Sequence, residues 1–192
     1  VPVICLVSAS PAQASDWFAG AHAGWTMLSG SLGAMAKTGS TVRVDVGHTA
    51  GPVQAGGLFS MTRVNYPHYE EQAEAGSGFF VPGDFSISRF GGIAKWKTTV
   101  GDLALTAQGS AGMAGWSSPM DESYYESEVV QETWGGEQSP LGTGSSQMFV
   151  GSGVSVSQDI ADGPSIQLSL LGTYTTIIGL TTDIMIGMNA DF

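Results

Sequence analysis

The chain has 192 residues, enough for one domain, and only 12% of them are charged, about half the usual share of a soluble domain. The net charge of −11 argues against nucleic acid as a partner, which requires clustered Lys and Arg. One cysteine, Cys5, excludes an internal disulfide framework, and no apolar run reaches the roughly 18 residues of a transmembrane helix. What remains is a glycine-rich chain, with 28 glycines, whose apolar residues are interleaved with small polar ones. That pattern suits a β-barrel whose outer face meets lipid, and it also occurs in a soluble β-sandwich.

Val1 to Ala14 reads as an apolar run followed by small residues and Ala12-Gln13-Ala14. This is the small-x-small pattern of a secretory cleavage site. Residues 1–14 are therefore expected to be the remnant of a signal peptide, and residues 15–192 a single β-barrel domain. An ordered N-terminal segment is the other reading.

The strands follow in order. In Trp17 to Met27, Trp17, Ala19, Ala21, Ala23, Trp25 and Met27 share one face, opposed by Phe18, Gly20, His22, Gly24 and Thr26. Trp17 and Trp25 stand about 26 Å apart along an extended strand, a spacing that puts one indole near each edge of an apolar band about 25 Å tall. Val42, Val44 and Val46 alternate with Arg43, Asp45 and Gly47. Val53 to Thr62 has Val53, Ala55, Phe59 and Met61 on one side and Leu58 as an apolar exception on the other; Arg63 follows on the apolar side near the rim. The clearest hairpin comes next. Phe90, Gly92, Ala94, Trp96 and Val100 oppose Arg89, Lys95 and Lys97, with Ile93 as the exception. Gly101-Asp102 is a two-residue turn, after which Leu103, Leu105, Ala107, Ala111 and Met113 share a face. Such a turn pairs Val100 directly with Leu103, so both must point the same way, and both belong to apolar faces assigned separately. Met148, Val150, Val154 and Val156 mark a sixth strand, and Ile166, Leu168, Leu170 and Tyr174 a seventh.

The last stretch, Asp183 to Phe192, carries Ile184, Ile186, Met188, Ala190 and Phe192 at every second position. Gly187-Met188-Asn189-Ala190-Asp191-Phe192 resembles the C-terminal signal of bacterial outer-membrane β-barrels: alternating apolar residues, a Gly six places from the end and a final Phe. Ala190 stands where that family usually has an aromatic. The resemblance implies a closed antiparallel transmembrane β-barrel of about eight strands in meander order, similar to the transmembrane domain of outer-membrane protein A and to the outer-membrane protein X group. It implies the bacterial outer membrane with both termini periplasmic, lipid and lipopolysaccharide as surroundings, and an assembly signal formed by Gly187, Met188, Ala190 and Phe192 and read by the barrel-assembly machinery. The connections mostly agree: Ser29 to Thr41, Arg63 to Asp84 and Ser117 to Gln147 are long and only the last at that end, around Thr175 to Thr182, is short, whereas His48 to Pro52, Gly101-Asp102 and Gln158 to Pro164 are all brief.

Within this frame Trp17, Trp25, Trp96, Tyr174 and Phe192 are expected to form the lipid-facing girdle. Arg43, Asp45, Arg89, Lys95 and Asp183 fall on the inner face and are expected to pair as one network that plugs the lumen, because a barrel this narrow is filled by its own side chains. Lys97 is expected to be hydrated at the periplasmic mouth. Ten of the seventeen acids lie in two long loops, and the second also carries Tyr124, Tyr125 and Trp134 beside Glu126 and Glu128. A solvated surface is the plain reading of those loops; a partner or cation-bridged lipid headgroups is the functional one. No cofactor, metal or enzymatic chemistry is expected. His22, His48 and His68 do not converge with a nucleophile and an orienting acid, and no calcium-loop or phosphate-cradle spacing occurs. A structural or adhesive role is the leading expectation. A narrow pore, a lipid-modifying enzyme and a translocator barrel are the alternatives.

Overall fold

A computed structural model describes residues 17–29, 38–64, 85–117, 146–160, 164–176 and 178–192. Eight strands account for nearly all of them: β1 Trp17–Leu28, β2 Gly39–Ala50, β3 Val53–Val64, β4 Phe85–Val100, β5 Leu103–Ser117, β6 Ser146–Asp159, β7 Pro164–Thr175 and β8 Gly179–Asp191. Each pairs antiparallel with its sequence neighbour, and β8 returns to β1, so the sheet closes as a meander barrel. At the seam the Trp17 amide donates to the Phe192 carbonyl (3.1 Å) and the Phe192 amide to the Trp17 carbonyl (2.9 Å). Closure satisfies every strand edge with another strand, the only way a sheet can sit in a medium without hydrogen-bonding solvent.

The Val100↔Leu103 pair forms across Gly101-Asp102 as the hairpin reading requires. Ala50↔Val53 brackets an equally tight turn at Gly51-Pro52. Gly51 (φ 60°) and Gly101 (φ 63°) supply the left-handed backbone at the first turn position, which a side chain would strain. The strands outrun their apolar patterns. The second, read from sequence as residues 42–47, spans Gly39–Ala50, and the fourth begins at Phe85, where the Arg63–Asp84 connection ends, well before its apolar alternation starts at Phe90. Backbone pairing continues past the apolar band into residues such as Ser40, Thr41, Ser86 and Ser88, where alternation no longer marks it.

The longer second strand corrects one placement. His48 is not in a turn. It lies on β2 opposite Trp17, exposed on the outer face, with its ring edge-on to the indole at a centroid separation of 5.7 Å.

Side-chain exposure alternates along each strand. Outward residues are apolar and exposed, including Val42, Val44, Val46, Phe59, Phe90, Leu168, Leu170 and Ile186. Inward residues are buried and largely polar: Thr26, Thr41, Arg43, Asp45, Thr62, Arg89, Lys95, Gln167 and Asp183. A soluble domain has the opposite arrangement. Leu58 and Ile93, the apolar exceptions in their strands, point inward as the period dictates and are 8% and 4% exposed. They join Phe18, Phe149, Leu171 and Met185 in filling the interior between the polar side chains.

Candidate functional site

The interior is organised around Asp45. It sits on β2 beside Gly20 of β1 and Leu58 of β3, and its carboxylate is fully enclosed. Three basic side chains converge on it: Arg43 from the same face of β2 (Nε–Oδ1 3.4 Å), His22 from β1 (Nε2–Oδ1 3.3 Å) and Lys95 from β4, whose ammonium bonds Oδ2. Lys95 also lies over the Phe18 ring, 4.6 Å from its centroid, where the ring face attracts the charge. Arg43 reaches on across the lumen and donates from Nη2 to Gln108 Oε1 on β5 at 3.0 Å. The cluster therefore ties four strands together across the barrel, each pointing inward at that level because of its period-2 register.

A second cluster lies towards the β1–β2 and β7–β8 connections. Arg89 donates from Nη1 to Thr62 Oγ1 and from Nη2 to Thr181 Oγ1, both at 3.0 Å, and the Thr62 and Thr41 hydroxyls are bonded to each other at 3.1 Å. Asp183 accepts from Thr26 Oγ1 at 2.5 Å. The five charges assigned to the lumen from sequence all point inward; direct contacts divide them into two groups, which the attraction of Asp183 for both Arg89 and Arg43 links. Asp45 takes Arg43 and Lys95, while Arg89 and Asp183 are held by threonine hydroxyls. His22 belongs to the first group although sequence reading placed it only on the inner face. Gln108 and the threonines were equally unassigned, because uncharged polar residues recur at every inward position and give no signal of which ones meet.

Lys97 does lie at the mouth near Gly51-Pro52, partly exposed, but it is not simply hydrated. It pairs with Asp191 at 3.5 Å, and Asp191 also accepts from Gln54 Nε2 at 2.9 Å.

Two small cavities lie inside the barrel, of about 10 and 20 Å³, each of the order of a single water. One is lined by Phe18, Lys95, Lys97, Gln167 and Asp191, the other by Arg43, Arg89, Phe149 and Asp183, and they share no lining residue. The layer of Asp45, His22 and Gln108 separates them. Among the described residues, the inward side chains at this level are buried and bonded to one another across the barrel.

The outer face carries the expected aromatics, all half or more exposed. They fall at two levels. Trp17, Trp96 and Phe192 stand near the end that holds the Gly51-Pro52 and Gly101-Asp102 turns; Trp25 and Tyr174 stand near the other. Of the segment read as an assembly signal, Met188 and Phe192 face outward, Ala190 is partly exposed and pairs with Ala19 and Pro164, and Gly187 packs against the His22 ring. The loop residues Tyr124, Tyr125, Glu126, Glu128 and Trp134, His68, and the segment 1–14 lie outside the described residues.

No protein-family model matches the sequence, and no curated protein matches it. Solved structures do match in shape. Neisserial surface protein A superposes with a TM-score of 0.61 at 13% identity, over 92% of this chain and 97% of that one. Ail, the attachment invasion locus protein of Yersinia pestis, gives 0.47 at 13% identity over 92% and 99%. The outer membrane enzyme PagL gives 0.44 at 11% identity over 91% and 99%. With its closed meander of eight strands, apolar surface outward and polar residues enclosed, this chain has the fold of the small outer-membrane β-barrels.

Proposed function

We propose that the protein is a non-enzymatic, integral barrel of a bacterial outer membrane, a closed anchor that holds three long loops, two of them acidic, at the cell surface for a structural or adhesive role. The observation that carries this reading is the side-chain layer that crosses the lumen. Side chains from β1, β2, β4 and β5 meet on Asp45 and Arg43, and the cavities above and below them are about 10 and 20 Å³. A barrel sealed in that way does its work at its two faces and not through its axis. The short turns at Gly51-Pro52 and Gly101-Asp102 support a periplasmic assignment for that end, where Trp17 and Phe192 also pair at the β1–β8 seam. Lipid and lipopolysaccharide are the surroundings proposed for the apolar belt, and the barrel-assembly machinery the reader of the β8 segment.

Two measurements test the reading together. Reconstituted into planar bilayers, the purified protein is expected to give no sustained ion conductance; stable unitary currents would make it a pore. On intact cells, protease is expected to cut within residues 65–84 and 118–145 while the barrel strands survive. Protection of both segments would place the long loops on the wrong side.

A further inference from the structure

Among the described residues, six buried side chains can carry charge: His22, Arg43, Asp45, Arg89, Lys95 and Asp183. With the imidazole neutral, three cations face two anions, and a proton on His22 would only widen the excess. Asp45 is already committed to Arg43 and Lys95. The remaining pair, Arg89 and Asp183, lies on the wall of one cavity of about 20 Å³, yet no carboxylate comes within ion-pair distance of Arg89 among the described residues. Arg89 is 2% exposed, its two Nη atoms donate to Thr62 and Thr181, and its Nε has no hydrogen-bond partner there. Arg43 lines the same cavity, and so do Ser60, Ser110 and Thr173, whose hydroxyls are able to donate. Asp183 acts on Arg89 only from beyond contact, so the guanidinium keeps a buried donor with no acceptor, which is costly.

We propose that this cavity is a binding site for one small monovalent anion, of which chloride is the abundant example. The anion would balance the surplus charge and accept from Arg89 Nε and from the lining hydroxyls. A cavity of this volume admits a single particle of about the size of a water. The site does not depend on the proposed surface role, since it concerns what stabilises the plug.

The test uses the full chain refolded in zwitterionic detergent, with chloride replaced stepwise by gluconate at fixed ionic strength. A ligand that binds only the folded state raises the unfolding midpoint with its concentration. The midpoint is therefore expected to fall as chloride is withdrawn and to be restored by bromide. In Arg89→Gln that dependence is expected to vanish. In Asp183→Asn, which removes the competing negative charge from the wall, it is expected to grow. A midpoint that follows ionic strength whichever anion supplies it overturns the site, as does an Arg89→Gln protein that keeps the full chloride response. Should Arg89→Gln fail to fold, a weaker chloride response in Asp183→Asn than in the parent is the outcome that overturns it.

Discussion

At the level of single residues, Asp45 carries the most consequence. Its carboxylate is enclosed, and it answers two permanent cations and one imidazole. Removing it would strand Arg43 and Lys95 in a medium that solvates neither, and breaking a buried pair from one side typically costs about 3–5 kcal/mol. Asp45→Asn is thus expected to lower the unfolding free energy in detergent or lipid by that order, read from urea titration. Lys97→Ala should behave differently, although Lys97 also pairs with an aspartate. Both members of that pair are about a third exposed, so water screens them, and the loss should stay within about 1 kcal/mol. Equal costs for the two variants would contradict the contrast between a sealed hub and a wet mouth. The sequence marked these residues as inward because alternation assigns faces without reference to anything distant. It did not say which inward charges touch, since that depends on the stagger of neighbouring strands around the barrel. Gln54↔Lys95↔Gln108 and Gly20↔Asp45↔Leu58 are neighbour rows that no single strand reveals.

At the level of strands, the glycines separate into two kinds. Gly47 and Gly56 pair across β2–β3, and the Phe18 ring of β1 packs on Gly47. Gly91 and Gly112 pair across β4–β5, and the Phe149 ring of β6 packs on Gly112. A Cβ at any of these four would meet the neighbouring strand's backbone, and at Gly47 and Gly112 the ring as well. An aromatic laid over paired glycines fixes register and lets the sheet bend sharply there, a device of small closed barrels. Outward glycines carry no such constraint: a Cβ at Gly57 or Gly92 would meet nothing nearer than a carbonyl at 3.9 Å. Gly47→Ala and Gly112→Ala are therefore expected to cost about 1–3 kcal/mol each through displaced rings and strands. Gly57→Ala is expected to be neutral within about 0.5 kcal/mol, as for a surface substitution away from special backbone. Urea midpoints of the three variants decide it, and a Gly57→Ala loss as large as that of Gly47→Ala would sink the distinction. The apolar face of each strand was readable from its period, and the tight turn at Gly101-Asp102 followed from two such faces agreeing. Strand ends were not readable, because hydrogen bonding persists through Ser and Thr beyond the belt. Phe149 and Leu171 were not picked out as interior residues either, since an apolar residue within an apolar stretch declares no side.

For the molecule as a whole, the arrangement makes stability depend on depth and not on burial in the ordinary sense. In a water-soluble protein an exposed Val44, about half open, would accept a lysine at little cost. Here that position is midway along β2, in a row with Ala21, Phe59 and Phe90 of the adjoining strands, so it faces the middle of the apolar belt. Met27 is equally outward but stands one residue from the end of β1, beyond Trp25 and near the rim. A lysine on the lipid face costs roughly 2–4 kcal/mol at the midplane and about 0–1 kcal/mol near an interface, where the chain can reach water. Val44→Lys is accordingly expected to destabilise the barrel in phospholipid vesicles by the larger amount, and Met27→Lys by the smaller. The same pair measured in a detergent micelle, whose apolar core is softer and wetter, should differ less. Folding free energies from denaturant titration in the two media give the comparison directly. If both lysines cost the same in vesicles, Val44 and Met27 do not differ in membrane depth, and the two aromatic levels marked by Trp17 and Trp25 do not bound a lipid layer. A gradient from centre to rim would mean that the alternation seen along each strand and the aromatic levels at its ends describe one physical object, an apolar cylinder about as tall as the hydrocarbon it displaces.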